Sequence, residues 1–191
     1  MRITAGRLRG RNISVPSIAG LRPTPAKVRQ ALFNILGDIE GFMVLDLFAG
    51  SGVMALESLS RGAAAAVSIE QHSMAVHAMR HIQRSWPVEE WKILPMAVEK
   101  GLAQLSGRHF DLVFADPPYA QGFSEKLPQW LDTCEISCGQ LVVEETARYQ
   151  PVWPRTWQCT QSRRYGDTSL HFLSRSQLSR AGRGEQFRDT L

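Results

Sequence analysis

The chain has 191 residues, 43% of them hydrophobic and 21% charged, with a formal net charge of +4. That length supports one domain with a substantial core and little more. No apolar run approaches the roughly 20 residues of a membrane span, and the first residues lack a signal-peptide apolar segment, so a cytoplasmic protein is expected. The three cysteines, Cys134, Cys138 and Cys159, form no C-x-x-C pair, so free thiols are expected rather than a disulfide framework.

The charges are segregated. Residues 1–37 hold seven basic residues and no acid, residues 38–150 hold eight basic and fifteen acidic residues, and residues 151–191 hold seven basic and three acidic ones. An acidic body with two basic ends points to a polyanionic partner. The alternative is a pair of basic ends that serve solubility alone.

In chain order, residues 2–4 and 12–15 read as two short strands. Arg7, Arg9 and Arg11 alternate with Gly6, Leu8 and Gly10 between them, which predicts a β-hairpin with an arginine-studded turn. Leu21-Arg22-Pro23 is extended, as the residue before a proline should be. Thr24 then fits a helix N-cap and Pro25 the first helical position, with the helix stopping at Gly37. From residue 43 strands and helices alternate: strands at 43–47, 65–69, 91–94, 110–115 and 140–143, helices at 53–59, 73–84, 98–105 and 123–131, with Ser73 as a cap. Strands at 157–162 and 169–173, joined through Gly166-Asp167, predict an antiparallel hairpin. The fold class is therefore α/β, Rossmann-like, with a mostly parallel sheet covered on both faces. The Ser-, Gly- and Arg-rich tail 174–191 reads as disordered.

The first chemical signal is Val44-Leu45-Asp46-Leu47-Phe48-Ala49-Gly50-Ser51-Gly52, a strand running into a glycine loop and then a helix. Gly50, Gly52 and Ala55 satisfy a loose dinucleotide fingerprint, which by itself discriminates poorly. Asp46 discriminates better: an acid at the strand end repels a pyrophosphate and suits a cation. The loop resembles motif I of S-adenosylmethionine (SAM) methyltransferases, whose cofactor carries a sulfonium and an ammonium. That resemblance places Glu70, at the end of the second strand, on the cofactor's ribose hydroxyls.

The second signal is Asp116-Pro117-Pro118-Tyr119, which follows the strand 110–115. A ring amine delocalises its lone pair and is a poor nucleophile. Two acceptors at its N–H groups, the Asp116 carboxylate and the Pro117 carbonyl, would aim that lone pair outward, and the prolines would preorganise both. Tyr119 would stack on the ring. A Pro-Pro turn with a capping aspartate is the bland reading of the same residues. The tetrapeptide resembles motif IV of methyltransferases acting on exocyclic amines, a motif shared by DNA adenine-N6, DNA cytosine-N4 and RNA guanine-N2 enzymes.

The wider chain narrows the choice. The stretches 2–11, 21–24, 28–36, 45–52, 57–63 and 116–119 together resemble the RsmD-type 16S ribosomal RNA guanine-N2 methyltransferases, over about residues 1–173. The resemblance implies a class I methyltransferase fold with a seven-stranded, mostly parallel sheet whose last strand is antiparallel. It implies a basic hairpin extension at 1–22 that grips RNA, a SAM-dependent methyltransferase domain at 23–173, and the tail beyond. Asp116, Pro117 and Tyr119 would be catalytic. Asp46, Phe48, Gly50, Ser51, Gly52, Glu70, Ala97 and Thr24 would bind SAM. Arg7, Arg9, Arg11, Arg22, Pro118 and Tyr119 would meet RNA of the small subunit or its assembly intermediate. Two positions depart from the family: Pro95-Met96-Ala97 lacks the acid often found near the adenine, and Arg80-His81 replaces the usual asparagine. His77 and His81, at helical spacing, read as a surface pair rather than a metal site. Glu144 reads as structural or as a supporting residue behind the site. The rival readings are a DNA adenine-N6 methyltransferase, which would want a larger target-recognition segment, and a non-catalytic RNA-binding assembly factor. A nicotinamide dehydrogenase is disfavoured by Asp46.

Overall fold

The computed structural model describes residues 1–14, 24–119 and 121–176. The elements are α1 (Ala26–Leu36), β1 (Met43–Leu47), α2 (Val53–Ser60), β2 (Ala65–Ile69), α3 (Ser73–Ser85), β3 (Trp91–Leu94), α4 (Val98–Gln104), β4 (His109–Ala115), α5 (Phe123–Thr133), β5 (Ser137–Thr146), β6 (Trp157–Tyr165) and β7 (Thr168–Arg175). The seven strands form one sheet in the order β3-β2-β1-β4-β5-β7-β6. The first five in chain order pair in parallel, and β7 lies antiparallel between β5 and β6. The α/β sheet with an antiparallel last strand is thus as expected.

Side chains alternate across the strands and feed two cores. Val44, Leu112 and Phe114 pack with α1, α2, α3 and the N-terminal hairpin on one face. Leu45, Leu47, Val113 and Ala115 pack with α4 and α5 on the other. Strands buried on both faces need apolar residues at nearly every position, which is why β1 and β4 read as unbroken apolar runs apart from their acids.

The structure revises several boundaries. Pro25 is the N-cap of α1, not Thr24, because its ψ of 147° is still extended and the Thr24 hydroxyl is spent on Glu144. His72, not Ser73, caps α3, with its N–H held by Glu70 Oε1 at 2.7 Å. β5 begins three residues earlier than its apolar run, since the partly exposed Ser137–Gln140 stretch still pairs with β4. The N-terminal hairpin forms, but as a single bridge between Arg2 and Asn12 flanked by the Ile3–Arg11 and Ile13–Met1 hydrogen bonds. Residues 15–23, including Arg22, and the tail from 177 lie outside the described residues, as does Ala120.

What the hairpin lacks in ladder it gains in docking. Ile3, Leu8 and Ile13 are buried in the first core. Ser60 receives the turn: its carbonyl accepts from Arg7 N–H at 2.7 Å and its hydroxyl from Leu8 N–H at 2.9 Å. Gly6 has φ +76°, and a Cβ there would fall 1.6 Å from the Ser60 carbonyl oxygen, so only glycine permits this approach.

Beneath the hairpin lies a buried ion pair. Arg29 of α1 and Glu57 of α2 are both fully inaccessible, with Arg29 Nε 3.2 Å from Glu57 Oε1. Arg29 also donates to the carbonyls of Thr24 at 2.6 Å and Arg2 at 2.7 Å. Glu57 accepts from the backbone and hydroxyl of Thr4 at 2.9 and 3.0 Å and stands 3.6 Å from Arg61 Nε. Removing one partner of such a pair strands the other charge. Arg29→Ala should therefore cost about 3–5 kcal/mol in urea denaturation, and limited proteolysis should cut the N-terminal arm first. Arg29→Met paired with Glu57→Gln should recover part of that loss.

Candidate active site

At the carboxyl ends of β1, β2 and β4 opens a cavity of about 770 Å³. The sheet order reverses between β1 and β4, the place where open α/β sheets bind ligands. Thr24, Asp46, Phe48, Gly50, Ser51, Glu70, Ala97, Asp116, Pro117, Pro118 and Tyr119 all line it. Gly52 does not line it but shapes it.

The glycine loop is built tightly. Gly50 and Gly52 have φ of 53° and 70°, and Phe48, between strand and loop, has φ 57°, a left-handed conformation uncommon for an aromatic residue. The Phe48 ring leans on Phe123 with centroids 5.5 Å apart. A Cβ on Gly52 would come within 2.4 Å of the Trp91 ring, so this glycine is required both by its backbone conformation and by its neighbour. Trp91 Nε1 in turn donates to Ser68 Oγ at 2.9 Å, and Ser68 Oγ lies 3.5 Å from Asp46 Oδ2.

Asp46 is buried and faces the first turn of α2, accepting from Ala55 N–H at 3.3 Å. Burial pushes its carboxyl up to about 7, with the Glu70 charge adding to the rise and the Ala55 and Ser68 hydrogen bonds opposing it. Glu70 clasps the loop: Oε2 accepts from Gly50 N–H at 2.8 Å and Oε1 from His72 N–H.

Asp116 follows β4 directly and its N–H reaches Leu47 O at 3.4 Å. Burial, then the charges of Glu144, Asp46 and Glu145, raise its carboxyl well above the ordinary range. Tyr119 donates to Glu144 Oε1 at 3.2 Å, and Thr24 donates to Glu144 Oε2 at 2.9 Å. Glu144 is itself buried and its carboxyl is raised, chiefly by burial.

The acids Asp46, Glu70, Glu99 and Asp116 line the cavity, and among the described lining residues there is no lysine or arginine. Such a set of acids fits a cationic ligand better than a polyphosphate. Glu99 also supplies an acid two residues past Ala97, close to where Pro95-Met96-Ala97 had none. Sequence reasoning missed Ser68 and Glu99 as parts of the site and set Glu144 behind it. The register signal for Glu144 was available: β4 and β5 pair Ala115 with Val143, which sets Asp116 beside Glu144.

The expected RNA-facing arginines separate. Arg7 is consumed in docking, bonded to the carbonyls of Leu59 and Pro87 and paired with Glu90. Arg11 lies over the Trp86 ring, 5.1 Å from its centroid. Arg9 is exposed and lines a second groove of about 680 Å³ with Arg2, Gln30 and Thr24. Thr24 lines both hollows, so the groove beneath the hairpin adjoins the acidic cavity. His77 and His81 are exposed, and no metal-binding cluster occurs among the described residues.

Comparison with known proteins identifies the family. The family model described as "Conserved hypothetical protein 95" matches residues 1–174. "Ribosomal RNA small subunit methyltransferase D" of Escherichia coli strain K12 is 31% identical over 179 residues, covering 92% of this chain and 90% of the relative. The protein of the same name from Haemophilus influenzae is 32% identical over 177 residues, covering 88% and 91%. The solved structure of yhhF from Escherichia coli superposes with a TM-score of 0.81 at 31% identity, covering 92% of this chain and 97% of that one. The chain therefore belongs to the conserved hypothetical protein 95 family, the RsmD family of methyltransferases.

Proposed function

We propose that this protein transfers a methyl group from SAM to the exocyclic N2 of a guanine in 16S rRNA of the small ribosomal subunit. One observation carries the reading: Asp46, Glu70 and Asp116-Pro117-Pro118-Tyr119 converge on one cavity that is rich in acids and lined by no lysine or arginine. The names of the family relatives support an rRNA substrate, and the resemblance of the first 36 residues supports guanine N2.

When bound, SAM supplies a methyl group made electrophilic by its sulfonium. Asp46 and Glu70 would hold the cationic and ribose parts of the cofactor, with Phe48, Gly50, Ser51 and Ala97 around them. Asp116 and the Pro117 carbonyl accept from the two N–H groups of the target amine, leaving its lone pair free. Tyr119 and Pro118 pack on the base. Asp116, its carboxyl made more basic by burial and by its acidic neighbours, accepts in its ionised form the proton that the amine must release. Most of the acceleration comes from positioning.

The test is methyl transfer from labelled SAM to unmethylated small subunits, naked 16S rRNA and DNA. Label should enter RNA as N2-methylguanosine; N6-methyladenine in DNA would overturn the substrate. Asp116→Ala should lower kcat by about 10²–10⁴ while calorimetry finds S-adenosylhomocysteine still bound.

The raised Asp46 carboxyl gives a sign to pH dependence. A proton on Asp46 competes with a cationic ligand, so SAM affinity should rise with pH up to about 7 and then level off. The same raised value means that the Asp46 contribution to the stability of the unliganded fold declines as pH rises from about 4 to about 7. Asp46→Asn should thus be more stable than the parent at pH 8, by on the order of 2–4 kcal/mol, and no more stable at pH 4. Melting curves at the two pH values check this.

For the RNA grip, Arg9→Ala with Arg11→Ala should weaken small-subunit RNA binding and flatten its dependence on salt by about two phosphate contacts. Arg7→Ala should lower stability instead, because its partners are within the protein. Filter binding across a salt series beside thermal melts separates the two effects.

A further inference from the structure

Glu144 is a buried carboxylate whose hydrogen-bond partners among the described residues are two neutral hydroxyls. Its side chain is 1% exposed, Tyr119 Oη donates to Oε1 at 3.2 Å and Thr24 Oγ1 donates to Oε2 at 2.9 Å. No lysine or arginine pairs with it among the described residues. Holding an unpaired charge there is costly. A glutamine of the same shape could bridge the same two hydroxyls without that cost. A bridging role alone therefore leaves the charge unexplained.

The charge has a neighbour. The parallel register pairs Ala115 of β4 with Val143 of β5, so Glu144 follows beside Asp116, buried behind the cavity that Asp116 lines. We propose that Glu144 is a positioning residue for the transfer step: it locks Tyr119 and Thr24 around the target amine and holds Asp116 ready to take the proton that leaves it. The inference rests on the reading above, in which Asp116 meets the amine. As the N2–CH3 bond forms, the S–CH3 bond breaks and its electron pair stays on sulfur. The nitrogen's surplus proton passes to Asp116 and from there to solvent.

Like charges cannot both be comfortable in one dry site, so each raises the other's demand for a proton. Asp116 is faced by Glu144 and Glu145 from β5, by Asp46 from β1 and by Tyr119 from its own loop, with Glu70 beyond Asp46. Glu144 is the largest of these charges acting on Asp116. Its bridge to Thr24 also reaches the segment whose carbonyl Arg29 holds, which ties the proton acceptor to the base of the hairpin.

The experiment uses the full chain with Glu144→Gln and Glu144→Ala. Asp116 is titrated by carboxyl ¹³C NMR of aspartate-labelled protein without ligands, its signal assigned with Asp116→Asn. In Glu144→Gln the bridge survives and the charge is gone. The Asp116 midpoint should fall by about one pH unit, and kcat should drop roughly tenfold with KM for RNA unchanged, a partial loss of general-base catalysis. Glu144→Ala should in addition raise KM for RNA, since Tyr119 and Thr24 lose their anchor. An unchanged midpoint and unchanged kcat in Glu144→Gln would overturn the proposal. The NMR midpoint does not depend on substrate, so it judges Glu144 even if the parent protein labels no guanine, an outcome that would reject the proposed reaction instead.

Discussion

The ion pair between Arg29 and Glu57 organises the half of the molecule that meets the site. Both side chains are inaccessible, and between them they bind Arg2, Thr4, Thr24 and Arg61. Those contacts join the hairpin, the start of α1 and the end of α2. A pair so deep gains little net free energy over an apolar isostere. What it secures is register: the arginine's fork has two carbonyls to find, and only one docking of the hairpin satisfies both. The Arg61 guanidinium adds a further tie, 4.4 Å from the centroid of Phe33 in α1.

From that anchor the route to the site is short. Arg29 holds the Thr24 carbonyl while the Thr24 hydroxyl holds Glu144, and Glu144 holds Tyr119. The hairpin, proposed above to grip RNA, is thereby connected through these side chains and the Thr24 backbone to the tetrapeptide that would present the base. On the cofactor side the constraint is electrostatic. Asp46, Glu70, Glu99 and Asp116 line one cavity without a compensating lysine or arginine among the described lining residues. An empty site of this kind is destabilised, and a cationic ligand relieves it, which is how a site trades stability for affinity.

Much of this was legible in the sequence because the local rules agreed with one another. The apolar runs at β1, β2 and β4 are strands buried on both faces, and nothing in their propensity competes with that. Asp46, the glycine loop and Glu70 stood out because their spacing from strand ends is fixed by the fold. Thr24 was misjudged as a cap because its hydroxyl has a partner 120 residues away, a contact that local pattern cannot contain. The docking contacts of Arg7 were hidden for the same reason, since Glu90 and the Pro87 carbonyl come to it only through tertiary packing. Ser68 gave no sign, being one small residue inside a strand, yet it lies between Trp91 and Asp46.

If the protein acts as proposed, the carboxylates at the ends of β1 and β4 receive a positive charge. Calorimetry of SAM and of S-adenosylhomocysteine near pH 6.5, each in two buffers of different ionisation enthalpy, tests it most directly. S-adenosylhomocysteine lacks the sulfonium. SAM should release more protons from the protein than S-adenosylhomocysteine does, with the excess diminished in Asp46→Asn. Equal proton release by the two ligands, or no release by either, would contradict it.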